Sequence, residues 1–256
     1  MKVEKIKKTG SKYKLTLENG EIINTYDEVI IKHKILYKKE IDESLLDKIN
    51  EDTIYFKNYN KILNLINVRL RSEYEVRKTL IKNEVSSNDI EKMINDLKNI
   101  NLINDELFAK AYTNDKINLS LDGPYKIKKN LQKHKINNEY IDNAIENIDK
   151  DILDAHIDKV ISKKIKNNSK YTPYMLRQKI ITYLVNLGYS KNSIINRLDN
   201  FKIEYQNYEN QIDKIYNKLK NKYEGDMLIL KLKNKLYSKG YSKEDIENYI
   251  DKKTVH

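Results

Sequence analysis

The chain has 256 residues, of which 34% are charged and 39% hydrophobic, with a formal net charge of +11, six glycines, two prolines and no cysteine. This is the balance of a long-helix protein with much exposed surface, and so few turn residues exclude a sandwich or barrel of many short strands. Without cysteine, disulfides, thiol nucleophiles and thiolate metal sites are excluded; the start "MKVEKIKKTG" has no apolar h-region, and no apolar run approaches the roughly 18 residues of a membrane span.

In chain order, residues 1 to about 56 differ from the rest. "KYKLTLENGEI" alternates Tyr13, Leu15 and Leu17 and then offers Asn19-Gly20, a strong hairpin signal. "VEKIK" adds a third strand, and after Asp27 and again after Asp42 the pattern turns helical.

From there on the chain repeats itself. Leu80, Leu131, Leu184 and Leu236 are each followed five residues later by Val85, Ile136, Tyr189 or Tyr241. Five further on stand Ile90, Ile141, Ile194 and Ile246, and four more bring Ile94, Ile145, Leu198 and Ile250. The spacing predicts a helix that ends after the leucine, with Gly188 or Gly240 as the left-handed C′ residue. Ser86, Asn137, Ser190 or Ser242 then caps the next helix, with Asp89 and Asp245 at the positive end of two of them. The helix carrying the leucine starts at Ser72 with Glu75 as a capping box, at Gly123-Pro124, or at Thr172-Pro173, with proline in the first turn. A further helix precedes each of these. The expected architecture is mainly α: tandem three-helix repeats in an elongated solenoid-like array, behind a small β-hairpin-containing extension. The divisions are 1–56, 57–103, 104–150, 151–203 and 204–256.

A basic balance favours polyanionic partners, yet AT-biased codon usage alone would also enrich lysine. Placement decides between the two. Copy two's middle helix, "PYKIKKNLQKHK", holds Lys126, Lys128, Lys129 and Lys133 and no acid. Copy four contributes Lys231, Lys233 and Lys235, copy three Arg177 and Lys179, and copy one Arg77 and Lys78. The third helices run the other way, with Glu139, Asp142 and Glu146 in copy two. Codon bias would scatter lysine rather than segregate it by helix, and the macrodipole accounts for only part of the pattern. A basic face repeated at about 52-residue intervals suits a periodic polyanion or a filament with an acidic groove. "LGYSKNSIINRL" also looks like the turn of a helix-turn-helix, but the following helix is acidic in copy two, which argues against operator reading by all copies.

"RSEYEVRKTL", "INDELFAKAY", "LDGPYKIKKNLQKHKI" and "LVNLGYSKNSI", in this order and spacing, resemble the RecX regulators of the bacterial RecA recombinase. The arrangement is similar to the longer four-copy form of low-GC Gram-positive bacteria. Two features depart from the family: Glu84 and Lys135 stand where glycine is usual, and lysines replace arginines in the second copy. The resemblance implies binding to RecA protomers in the nucleoprotein filament and restraint of filament growth, and for some relatives direct DNA contact. It gives Arg69, Arg71 and Arg77, three of the chain's five arginines, a role as a planar cluster for carboxylates or phosphates. Helix-end placement, with Arg77 paired to Glu73, is the alternative, but arginine is scarce in this chain and lysine could serve the dipole, which favours the functional role.

His33, His134, His156 and His256 have no metal-ligand spacing, and no phosphate loop or nucleophile elbow occurs. Tyr125 and Tyr174, beside the helix-starting prolines, are placed to stack on bases. The expectation is a monomeric, cytoplasmic, non-enzymatic regulator without cofactor or membrane contact, whose partner is the RecA filament. The alternatives are a non-specific single- or double-stranded DNA binder and a plain helical scaffold.

Overall fold

The computed structural model describes residues 1–10, 12–38, 40–168, 171–203 and 208–254, and His256 lies outside them. The chain divides into two units, Met1–Ala111 with Gln132–Tyr140, and Tyr112–Leu131 with Ile141–His256.

In the first unit β1 (Val3–Thr9), β2 (Lys12–Leu17) and β3 (Ile22–Tyr26) form an antiparallel sheet in that order. Ile6 and Ile23 flank Leu15 across the ladder, and Leu15 and Leu17 are fully buried, as the alternation requires. The β2–β3 turn carries Gly20 at φ 81°, a conformation that suits glycine. α1 (Asp27–Lys32) covers the sheet, and α2 (Glu43–Val68) starts where Asp42 Oδ1 accepts the Leu45 amide at 2.7 Å.

α2 is 26 residues long because it serves two cores. Ile49 packs with Leu15, Leu17, Ile23, Val29 and Ile30 beneath the sheet. Ile62 and Ile66 pack with Val76 and Leu80 of α3 (Glu73–Lys82) and with Ile90, Met93, Ile94 and Leu97 of α4 (Ser87–Asn99). The second half of α2 is therefore the first helix of copy one.

The three-helix pattern then recurs as α5 (Asp105–Ser120), α6 (Pro124–Lys133) and α7 (Asn138–Glu146). α8 (Lys150–Lys166), α9 (Pro173–Asn186) and α10 (Lys191–Leu198) follow, then α11 (Tyr208–Lys220), α12 (Gly225–Ser238) and α13 (Lys243–Thr254). In the second unit Ile157 and Ile161 of α8 meet Leu176, Ile180 and Leu184 of α9 and Ile194 and Leu198 of α10. Ile212, Leu232, Leu236, Tyr241 and Ile246 do the same for the last copy.

The junctions after Leu80, Leu184 and Leu236 are Schellman turns. The Val85, Tyr189 and Tyr241 amides donate back to the carbonyls of Leu80, Leu184 and Leu236 at 3.1–3.2 Å. Glu84, Lys135, Gly188 and Gly240 all take the left-handed conformation. Ser86, Asn137, Ser190 and Ser242 each accept an amide of the next helix.

Glycine at 188 has a second cause. The start of α6 sits on this turn: the Gly123 amide donates to Leu187 O at 2.6 Å and the Tyr125 amide to Gly188 O at 3.0 Å. One helix's orphan N–H groups thus meet the last carbonyls of another, which satisfies both ends at once. Tyr189 Oη closes the junction with a bond to Leu121 O at 3.0 Å. The start of α9 repeats the device, Thr172 Oγ1 donating to Lys239 O at 3.1 Å beside Gly240.

Candidate functional site

The α2–α3 corner shows what the arginines touch. Arg69 follows α2 in extended conformation and grips Glu75 with both terminal nitrogens, at 2.6 and 3.0 Å. Arg71 Nε donates to Leu65 O at 3.2 Å, and its head stands 3.9 Å from Glu75. Glu75 in turn completes the capping box with Ser72. Arg77 Nε donates to Glu73 at 2.6 Å, while its terminal nitrogens hold Glu91 of α4 at 2.5 and 2.9 Å. Lys98 approaches Glu73 at 2.5 Å. Burial pushes the Glu73 and Glu75 carboxyls up, but the hydrogen bonds from Lys98 and Arg77, and from Arg69, outweigh it and hold both below the usual glutamate range. The cluster is a set of charge-assisted forks closed on the chain's own glutamates.

The middle-helix cations divide. Lys128 pairs with Asp142 at 2.5 Å, across the same fourteen-residue step that joins Arg77 to Glu91. Lys126 pairs with the buried Asp122 at 2.7 Å, and Arg177 with Asp199 at 2.5 Å. Basic middle helices beside acidic third helices therefore neutralise each other in part. Among the described residues Lys78, Lys129, Lys179, Lys231, Lys233 and Lys235 make no ion pair. Lys179 lies over the Tyr171 ring at 4.5 Å, and Lys231 over Tyr223 at 5.9 Å. Lys133 is exposed at the end of α6, and Tyr125 and Tyr174 are exposed at the starts of α6 and α9.

A concavity without a carboxylate among its described lining residues lies elsewhere, between α8 and α9, with a volume of about 1050 Å³. Lys159, Lys163 and Lys164 line it from α8, Lys179 and Tyr183 from α9, and Tyr171 from the segment between. Of these only Lys179 stands out in the sequence; Lys163 and Lys164 merge there into an ordinary basic helix end.

The histidines are dispersed. His33 Nε2 meets Asp52 at 2.6 Å, the His134 ring packs 5.2 Å from Phe108, and burial, helped by Lys159, lowers the pKa of His156. Among the described residues no group of three or more His, Asp or Glu could hold a metal ion, and no helix is long and apolar enough to cross a membrane.

These features define a helical-repeat protein: capped three-helix units behind a three-stranded sheet, with cations presented on their middle helices. Residues 59–97 match the model of the first three-helix domain of RecX, and residues 104–145 that of the second. Regulatory protein RecX of Listeria innocua is 28% identical over 97% of this chain and 94% of its own. That of Lactococcus lactis subsp. cremoris is 29% identical over 97% of both. A crystal structure of regulatory protein RecX, 23% identical, shares the fold at a TM-score of 0.62 over 77% of this chain and 98% of its own. That of RecX from Lactobacillus salivarius, 26% identical, does so at 0.54 over 57% and 96%. The chain thus carries two RecX-like three-helix domains and resembles RecX regulators of low-GC Gram-positive bacteria over nearly its whole length.

Proposed function

We propose that the chain binds the RecA recombinase in its nucleoprotein filament and restrains filament growth, and with it ATPase and strand exchange in recombination and repair. One observation carries this reading: likeness to proteins named regulatory protein RecX runs through the sheet and all four helical copies, over 97% of the chain. The copies divide as proposed from the repeat, 57–103, 104–150, 151–203 and 204–256, each offering cations on its middle helix. A tandem array of this kind suits a partner that repeats along an axis. Lys78, Lys129, Lys233 and Lys235, which make no ion pair within the described chain, are the contacts we assign to the filament. Arg69, Arg71 and Arg77 hold the α2–α3 corner that presents Lys78.

Co-sedimentation with RecA filaments on single-stranded DNA tests this. The chain should pellet with filaments and stay in solution with RecA alone, and a Lys78→Glu, Lys129→Glu, Lys233→Glu variant should pellet at least tenfold less well. Equal pelleting of wild type and variant would remove these lysines from the contact. A general nucleic-acid-binding activity is the second reading, favoured by the acid-free groove between α8 and α9.

A further inference from the structure

The α8–α9 groove is built differently from the rest of the basic surface. Asp and Glu make up 38 of the 256 residues, yet none is among the described residues that line it, whereas Lys126, Lys128, Arg77 and Arg177 all meet a carboxylate. Lysines at a helix C-terminus are ordinary, and Lys163 and Lys164 alone would mean little. Lys159 lies two turns from that end, however, and Lys179 comes from the other helix, so macrodipole compensation does not gather them.

The aromatic rings supply an independent observation. Tyr171 and Tyr183 are each 43% exposed, and each has a lysine over its ring, Lys179 at 4.5 Å and Lys164 at 3.9 Å. Tyr171 is held by the Asn168 side chain, which accepts from its amide at 2.9 Å and donates to its carbonyl at 2.8 Å. A cation above a flat ring, repeated at two places along an acid-free groove, combines a seat for phosphate with a face for a base.

We infer that the groove between α8 and α9 is a single-stranded polynucleotide site, in which Lys159, Lys163, Lys164 and Lys179 take backbone phosphates and Tyr171 and Tyr183 stack on bases. Its volume of about 1050 Å³ lies at the upper end of the small-molecule range, and it is open and mixes lysine heads with apolar and aromatic surface, which fits phosphates and bases of a chain passing through. An acidic protein segment would use the lysines alone and has no need of two half-exposed tyrosine rings beside them. The site belongs to the third copy and works without the recombinase, so it stands or falls apart from the filament reading.

The test uses the full-length chain alone with a fluorescent dT 20-mer and an abasic 20-mer, followed by anisotropy across a salt series. Four phosphate contacts predict a log–log salt slope of about −3, and Lys163→Glu with Lys164→Glu should flatten it by about 1.4. That variant should bind dT at least tenfold more weakly, whereas Lys5→Glu with Lys7→Glu on β1 should stay within threefold. Tyr171→Leu with Tyr183→Leu should weaken dT binding at least fivefold and leave abasic binding unchanged. Lys163→Gln with Lys164→Gln gives the same reading, with a smaller loss, should the reversal disturb folding. Equal losses from groove and β1 reversals, or abasic binding as tight as dT binding, would overturn the inference. So would tighter binding of poly-glutamate than of dT, which would assign the groove to an acidic protein segment.

Discussion

A Cβ at Gly188 would stand 2.4 Å from the amide nitrogen of Lys126, and the residue's φ of 93° is costly for any side chain. Neither obstacle can move, because the close atom is backbone at the start of α6. Gly188→Ala should therefore cost on the order of 2–3 kcal/mol. Gly240 is in a similar conformation, but its nearest neighbours are side-chain atoms, Tyr174 Cδ1 at 2.8 Å and Thr172 Oγ1 at 3.0 Å. These can shift, so Gly240→Ala should cost closer to about 1 kcal/mol. Urea denaturation of the two variants checks the order, and an equal or reversed cost would mean that the α6 junction gives way more easily than its geometry implies. The C′ role of both glycines is legible in sequence, since it follows from spacing after the repeated leucine. The second constraint at 188 is not, because it comes from the start of a helix some 60 residues earlier in the chain.

At the scale of the element, α3 is fixed at both ends by charge. Ser72 and Glu75 cap it, Arg69 holds Glu75, and Arg77 ties it to Glu91 of α4. Because the folded state lowers the pKa of Glu73, Glu75 and Glu91, their stabilisation is fully present above the ordinary glutamate value of about 4.3 and is lost as pH falls through the lowered values. Asp105, whose carboxyl burial pushes up, has the opposite sign and recovers part of the loss in acid. Thermal unfolding from pH 7 to 3 should show the wild type losing more stability than Glu73→Gln with Glu75→Gln, and parallel curves would contradict the assignment. The Arg77–Glu91 pair is largely exposed, so a double-mutant cycle should return a small coupling that shrinks further as salt is raised. A coupling of zero would make it a surface contact without energetic weight. The sequence displays three clustered arginines and the Arg77–Glu73 spacing. It does not display that Glu75 and Glu91 turn to meet them, because those contacts depend on the corner angle and on α4 crossing α3.

In the whole molecule, the tandem architecture was the most legible level, because leucine, C′ residue, cap and isoleucine recur at fixed steps in four copies. The sheet was legible from Asn19-Gly20 and the alternation before it. The fusion of the sheet's helix with copy one into the single α2 was less so, since a continuous helix leaves no punctuation between Ile49 and Ile62. The groove between α8 and α9 was hardest to find. Its lysines and tyrosines come from two helices and the segment between, and only packing shows that no carboxylate of the described residues shares the space. The repeated basic helices, by contrast, were plain in sequence, and the structure changes their meaning by pairing many of their cations with acids of the adjoining helices. On the proposed reading, filament contact falls to the remaining lysines and to the succession of copies, which makes a quantitative demand on stoichiometry. The most direct measurement is the single-stranded-DNA-dependent ATPase of RecA, titrated with this chain well below one per recombinase monomer. Restraint of filament growth predicts inhibition at those substoichiometric amounts, retained in Lys163→Glu with Lys164→Glu and lost in Lys78→Glu, Lys129→Glu, Lys233→Glu. An unchanged ATPase up to one chain per monomer would contradict it.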